Sequence, residues 1–290
     1  MSDDHSDDAH YLHRKRGLSL LVKPPVKHGR VMAWERKGAL LVGTRDGKVE
    51  RVHPAMGTSH VLQGLGAAIG LGVDGDQFVV VEEGGRWGAF DAAGNRVVVG
   101  AHPFEGPVTV TFRGDRVLLT GTTKGEKQVL FYERGRKVFR IRLPHRAVAF
   151  VLGENIGLAQ SSPVGLEVIK LADGARFREV RQTDHELVAS GDHVIGIDAK
   201  GVRVWPNTGG RAVEVNLPDA VTAGLTPDGR FVAVGTSHGG VAVIDLADEA
   251  DRRAPTTVHV TEHPIRAVAV NPKGTVLASS ADALALWSWE

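Results

Sequence analysis

A repeat of about 39 residues runs along this chain, and it limits the possible folds more than any single motif does. Large apolar or aromatic residues that close an apolar run fall at Val52, Phe90, Tyr132, Ile169, Trp205, Ile244 and Trp287. In phase with them stand glycine-bearing turns at Gly38, Gly75, Gly114, Gly153, Gly191, Gly229 and Gly274. A tight hairpin needs a positive φ that glycine adopts without a Cβ clash, and neighbouring Asp or Asn side chains hydrogen-bond the local backbone. After each turn comes a continuous apolar run rich in β-branched residues, as in Phe78-Val79-Val80-Val81, the pattern of a strand covered on both faces. Helical periodicity is absent. One such meander cannot bury both its faces alone, so the units must stack. The period suits four-stranded propeller blades, which run roughly 40 to 45 residues, and the seven turns predict an all-β, seven-bladed β-propeller of four-stranded blades.

The fourth, outer strands are expected at Thr58 to Leu62, Arg96 to Val99, Lys137 to Leu143, Arg176 to Gln182, Ala212 to Leu217 and Thr256 to Thr261. Several alternate in polarity, which predicts one face toward water. The last unit stops at Trp289-Glu290 without an outer strand, while Leu18 to Val22 forms a short apolar strand with no blade of its own. These two facts predict that the N-terminal strand completes the last blade and closes the ring, covering a sheet edge that would otherwise be open. The expected organisation is a disordered tail over residues 1–17 and one propeller domain over 18–290. A single domain of 290 residues buries about 75% of its unfolded surface, enough for a sizeable core.

Three stretches carry a family likeness. They are Gly43-Thr44-Arg45-Asp46-Gly47-Lys48-Val49, the segment from Pro227-Asp228-Gly229-Arg230 to Ile244-Asp245, and His263 with Asp282 and Trp287. On these residues the chain resembles the WD40-repeat β-propellers over roughly residues 18 to 290. The resemblance implies a His before each first strand, an Asp in the turn between second and third strands, and Trp-Asp closing the third. His precedes the first strand at His28, His102, His145, His185 and His263. The turn Asp is clear at Asp46 and approximate at Asp198 and Asp282, while Trp stands only at Trp205 and Trp287, neither followed by Asp. The repeats are degenerate, so the Trp-Ser/Thr-Asp-His networks that stiffen blades in this family are expected to be incomplete. His28, Asp46, His263 and Asp282 are the candidate structural residues, with His28 and Asp46 the expected pair.

Apparent catalytic motifs dissolve in context. Gly235-Thr236-Ser237-His238-Gly239 matches G-x-S-x-G, but that elbow needs a strand-to-helix turn, and here it joins two strands. Gly70-Leu71-Gly72-Val73-Asp74-Gly75 matches G-x-G-x-x-G without the βαβ unit that sets pyrophosphate on a helix N-terminus. Gly121-Thr122-Thr123-Lys124-Gly125 lacks the Gly-Lys-Ser/Thr ending of a P-loop. The five phased histidines, one per blade, would spread around a ring too wide for Zn–N bonds near 2 Å. No catalytic residue, metal site or cofactor is predicted.

Net charge is +1 and aromatic content 6%, which gives no case for a nucleic-acid or anionic-membrane partner. The chain has no cysteine, hence no disulfide framework. The segment Met1-Ser2-Asp3-Asp4 to His10 is acidic and lacks a signal-like apolar stretch, which predicts a cytoplasmic protein. Arg exceeds Lys by 24 to 11, a bias that fits a GC-rich, bacterial coding sequence.

Residues opening the first strands border the mouth of a propeller's central channel. They are Arg30, Arg146 and Arg266 in three units and Glu105, Glu186 and Asp219 in three others. A mixed-sign ring is a poor funnel for phosphate but suits a polar rim that orients a protein, with Arg as anchor. Arg30, Arg45, Arg146, His238 and Arg266 are therefore the candidate contact residues for protein partners of unknown identity. The expected function is a non-enzymatic scaffold or adaptor, the role that the WD40 resemblance implies. The alternative is a hydrolase, lyase or small-molecule binder that uses the central channel.

Overall fold

The computed structural model describes residues 18–22, 26, 29–143, 147–152, 155–162, 165–171, 186–190, 193–206, 212–226, 229–247, 255, 257–281 and 284–289. Among the described residues the regular structure is entirely β. Strand β1 (Leu18–Val22) stands ahead of a series of meanders. The first sheet holds β2 (Gly29–Trp34), β3 (Leu40–Thr44), β4 (Val49–His53) and β5 (Gly57–Leu62), and the second β6 (Ala68–Asp74), β7 (Gln77–Glu82), β8 (Arg86–Phe90) and β9 (Arg96–Ala101). Next come β10 (Glu105–Arg113), β11 (Arg116–Thr123), β12 (Glu126–Glu133) and β13 (Arg136–Arg142), then β14 (Ala147–Leu152), β15 (Asn155–Ser162) and β16 (Gly165–Leu171). The chain continues through β17 (Glu186–Ser190), β18 (His193–Asp198), β19 (Gly201–Pro206) and β20 (Val213–Asn216), and through β21 (Ala220–Leu225), β22 (Phe231–Thr236), β23 (Gly240–Asp245) and β24 (Val258–His259). It ends in β25 (Ala267–Val270), β26 (Val276–Ser280) and β27 (Leu284–Trp289).

Six of the sheets are antiparallel meanders whose described strands pair in chain order, and in the last sheet β25, β26 and β27 do the same. The first strands pack side by side around a ring: β2 against β6, β6 against β10, β10 against β14, β14 against β17, β21 against β25, and β25 back onto β2. Between β18 and β21 the same packing bridges the remaining gap. The N-terminal strand β1 pairs antiparallel with β27, Leu18 opposite Trp289 and Leu20 opposite Trp287, with a register shift before Val22. This gives the last sheet the order β1-β27-β26-β25.

The expectation of seven four-stranded blades is corrected by this topology. Six complete four-stranded blades are present, and the sheet β14-β15-β16 has three strands among the described residues. The outer strand expected at Arg176 to Gln182 lies outside the described residues. A glycine turn marks the first hairpin of a meander, so it counts meanders and says nothing about whether a fourth strand follows. The other outer strands fall where alternation placed them to within a few residues, the shortest being β24.

The core lies between neighbouring sheets. Trp87 of β8 is fully buried and meets Tyr132 of β12 edge-on at 4.8 Å, with Ile69, Phe104, Phe112 and Leu119 around them. Such edge-to-face pairing adds about 1 kcal/mol to the burial of each ring. The G-x-G-x-x-G stretch has a packing reason. A Cβ on Gly70 would sit 2.7 Å from the Val108 carbonyl oxygen, and one on Gly72 2.6 Å from Val110, so these glycines let β10 lie close on β6. The first glycine of the G-x-S-x-G match does the same: a Cβ on Gly235 would fall 2.5 Å from Ile265 of the next blade.

Ion pairs fasten the end of the blades where first strands finish. The Arg51 guanidinium grips both Glu35 carboxylate oxygens at 2.9 and 2.8 Å and donates to the Ala92 carbonyl of the second blade. Arg230 holds the buried Asp245 in a similar fork. Bidentate pairs of this kind fix geometry as well as energy.

Two outcomes follow from this packing. Deleting residues 1–22 removes β1 and opens the ring, and should lower the melting temperature by on the order of 10 °C in thermal unfolding by circular dichroism; an unchanged value would show that closure contributes nothing. Gly239 has φ +75° and a Cβ there would lie 1.7 Å from the Thr261 carbonyl oxygen, whereas Gly75 has φ +60° in open space. Gly239→Ala should therefore cost more than about 2 kcal/mol in urea unfolding, and Gly75→Ala only about 1 kcal/mol.

Candidate functional site

The hairpins from second to third strands and the links from each outer strand to the next blade meet at one end of the ring. Register requires this: Gly29 pairs with Thr44, Ala220 with Thr236 and Ala267 with Ser280, so a first strand starts where a second strand ends. Four of the five candidate contact residues, Arg30, Arg45, His238 and Arg266, lie at this end. Arg146 lies outside the described residues, as do His28 and Asp282.

A shared backbone scheme stiffens this face. In the β3–β4 hairpin the Thr44 hydroxyl accepts from the Lys48 N–H at 3.0 Å and donates to the Lys48 carbonyl at 3.1 Å. Thr236 holds Gly240 N–H in the same way at 2.9 Å. Each hairpin then accepts from the chain leaving its own outer strand: Leu65 N–H donates to the Gly47 carbonyl, His102 N–H to Gly85 and Thr261 N–H to Gly239. The turns and the inter-blade links are thus one hydrogen-bonded layer, not free loops.

Glu82 is the hub of that layer in the second blade, and sequence reasoning passed over it. The residue is 3% exposed. One carboxylate oxygen accepts from Gly66 N–H at 2.8 Å and from the Arg86 guanidinium at 3.2 Å. Its carbonyl oxygen lies 2.9 Å from His102 Nε2, and His102 Nδ1 accepts from Phe104 N–H at 3.1 Å. These partners fix the tautomer with the proton on Nε2, because a carbonyl can only accept. The available signal was positional: Glu82 ends its strand where Thr44 and Thr236 end theirs, so a carboxylate replaces the turn-capping hydroxyl.

Burial lowers the His102 pKa from its ordinary value of 6.5, the hydrogen bond to the Glu82 carbonyl opposing the shift. On the hairpin tip, Asp46 is held down to about 2 by its hydrogen bonds from Thr44 and Lys48, and its carboxylate lies 2.9 Å from Lys48 Nζ. His28, the partner expected for Asp46, is outside the described residues. His263 is exposed and its N–H donates to the Thr261 hydroxyl at 3.3 Å. In the last blade the Trp287 indole N–H donates to the buried Ser279 hydroxyl at 2.9 Å.

The charged side chains stand on top of this layer. Arg30 reaches Glu83 of the neighbouring blade at 3.4 Å, an exposed pair worth less than about 1 kcal/mol. His238 Nε2 lies 3.7 Å from the Asp219 carboxylate, and Asp219 itself has φ +65° with its carbonyl accepting from Ser237 N–H. Arg45 projects from the hairpin beside Asp46, Glu105 opens β10, and Arg266 follows Ile265, whose N–H donates to the Thr236 carbonyl. The structure joins Arg30 to Glu83 and His238 to Asp219, and the four described candidates form no single cluster. What results is an exposed rim of mixed sign on a rigid base.

Among the described residues, no three or more His, Cys, Asp or Glu side chains gather as a metal site. A recess of about 530 Å³ opens along the blade of β17 to β20, lined by Asp198, Lys200, Arg203, Glu214, Asn216 and Pro218 among others. Arg203 and Glu214 pair across it at 3.4 Å, and its described lining contains no Ser, Thr, Tyr or His to serve as nucleophile or imidazole base.

The described geometry is similar to solved WD40 β-propellers. The chain matches the WD40 β-propeller domain of Doa1 with a TM-score of 0.67 and 13% identity, over 94% of this chain and 98% of that one. It matches the β-propeller domain of Cps50 (Swd1) from Myceliophteria thermophila with a TM-score of 0.69 and 13% identity, over 94% of this chain and 100% of that one. No protein-family model matches the chain, and no curated protein matches it in sequence.

His102 supplies the prediction for this face. Its folded pKa is depressed, so the unfolded chain binds the proton more readily, and stability must fall as pH drops below about 6.5. Protonation would also take Nδ1 away from Phe104 N–H. Urea unfolding at pH 7.5 and pH 5.5 should show this loss, and His102→Gln should flatten the difference by about 1 kcal/mol; an equal pH dependence in the variant would remove His102 from the account.

Proposed function

We propose that this chain is a non-enzymatic adaptor that holds partner proteins on its turn face. The observation that carries the reading is the rim of Arg30, Arg45, Glu83, Glu105, Asp219, His238 and Arg266 raised on a hydrogen-bonded layer. Rigid placement lowers the ordering cost of binding, and charges of both signs on fixed mounts select register and partner. Charges of both signs on the rim give no uniform field for a polyphosphate or a nucleic acid. Similarity to WD40 propellers supports the reading at the level of the fold.

Affinity capture with the tagged full chain from its native cells, after nuclease treatment, should retain a protein at near-stoichiometric yield. The double charge reversal Arg45→Glu with Arg266→Glu should lose that protein by about tenfold or more while leaving the melting temperature unchanged. Undiminished capture by the folded double variant would move the partner off this face.

A further inference from the structure

The outer strands end their sheets, and proteins ordinarily blunt such edges with charge, brevity or bulges. Of the described outer strands β13, β20 and β24 follow that rule, whereas β1 (Leu-Ser-Leu-Leu-Val), β5 (Gly-Thr-Ser-His-Val-Leu) and β9 carry no acid, Lys or Pro. Strand β13 reads Arg-Lys-Val-Phe-Arg-Ile-Arg, β20 is Val-Glu-Val-Asn and β24 has two residues. Strand β9 departs from it. Its sequence is Arg-Val-Val-Val-Gly-Ala, with no acid, Lys or Pro. Val97 is 55% exposed and Val99 56% exposed. One edge of β9 is laddered to β8 from Arg86↔Ala101 to Phe90↔Arg96, and among the described residues no strand occupies the other edge.

The surroundings of this edge say what it would accept. Val98 points the other way from its neighbours and packs on the next blade, where a Cβ at Gly135 would fall 2.5 Å from its side chain. Directly after Gly135 come Arg136 and Lys137, both exposed. Arg96 lies with its guanidinium 5.7 Å from the Phe90 ring centroid. Among the described residues none of these three cations has an acidic partner. The edge therefore offers an apolar strip on one face and uncompensated positive charge beside the other. A second copy pairing β9 to β9 would bring the cations of both copies into one seam, with no carboxylate on either strand to offset them.

We propose that β9 is a strand-addition site for an extended segment of another protein in which apolar and acidic residues alternate. Main-chain hydrogen bonds to the open edge supply the docking, the apolar side chains continue the Val97–Val99 strip, and the acids meet Arg136 and Lys137. This site is lateral and independent of the turn face, so the two readings stand or fall separately.

The test uses the full chain and a capped, fluorescently labelled peptide of alternating Val and Glu, with an alternating Val and Lys peptide as control. The Val/Glu peptide should bind, more weakly as salt rises, and should slow amide exchange at β9. Val97→Lys with Val99→Lys should weaken binding by about tenfold or more, since charge on an edge strand blocks pairing. Arg136→Glu with Lys137→Glu should weaken it by about tenfold without touching β9, which keeps the test decisive if the valine variant loses stability. Absence of binding, equal binding of the Val/Lys peptide, or indifference to both variants would overturn the proposal. So would concentration-dependent dimerisation in sedimentation that Val97→Lys with Val99→Lys abolishes, which would assign the edge to a second copy.

Discussion

The ladder between β1 and β27 ties the first described strand of the chain to the last, and the geometry of the ring rests on it. Each other sheet is built from residues close in sequence, so each could form its own hairpins wherever it lay. The pairing of Leu18 with Trp289 and Leu20 with Trp287, together with the packing of β25 on β2, fixes how far apart the ends of the series sit, and with that the angle at which first strands meet. Loop-closure entropy is the cost of such a contact, and it is met once for the whole ring. Packing of β25 against both β21 and β2 then transmits the closure to the first and sixth blades.

The turn face inherits its rigidity from that ring. A hairpin tip such as Thr44 to Lys48 is stiff because the Thr44 hydroxyl satisfies the Lys48 backbone on both sides, and because the Gly47 carbonyl holds the chain leaving β5. In the second blade the same task falls to Glu82 and His102, a buried carboxylate and a buried neutral imidazole. A buried polar group is tolerated where its partners are complete, and here Gly66, Arg86 and Phe104 complete them. The exposed charges above this layer contribute little to stability and are free to serve recognition. The lateral edge at β9 lies outside the layer, and Val97 and Val99 there are more than half exposed while Val98 packs inward.

Much of this was legible in the residues. The glycine turns, the β-branched second strands and the alternating outer strands each report a local requirement, whether a positive φ, burial on both faces or burial on one. Gly70 and Gly235 sat inside letter-perfect catalytic motifs, and strand context alone was enough to set those aside; why glycine stands there became visible only with Val108, Val110 and Ile265 in contact range. The position of Glu82 at the end of its strand was legible, but its partners Gly66, Arg86 and His102 were not, because they come from separate stretches of chain. The blade count was over-read, since a turn glycine marks a hairpin and carries no information on a fourth strand.

The sequence by itself determined the strand order, the turn positions and the side of each strand that faces the core, because these depend on residues within a few places of one another. Tertiary structure alone decided that one sheet has three described strands, that Arg30 meets Glu83 across a blade boundary, that His102 is buried against the Glu82 carbonyl, and that Val97 and Val99 are left uncovered. Those facts depend on which distant segments arrive at the same place, and no local rule of propensity or periodicity encodes that arrival.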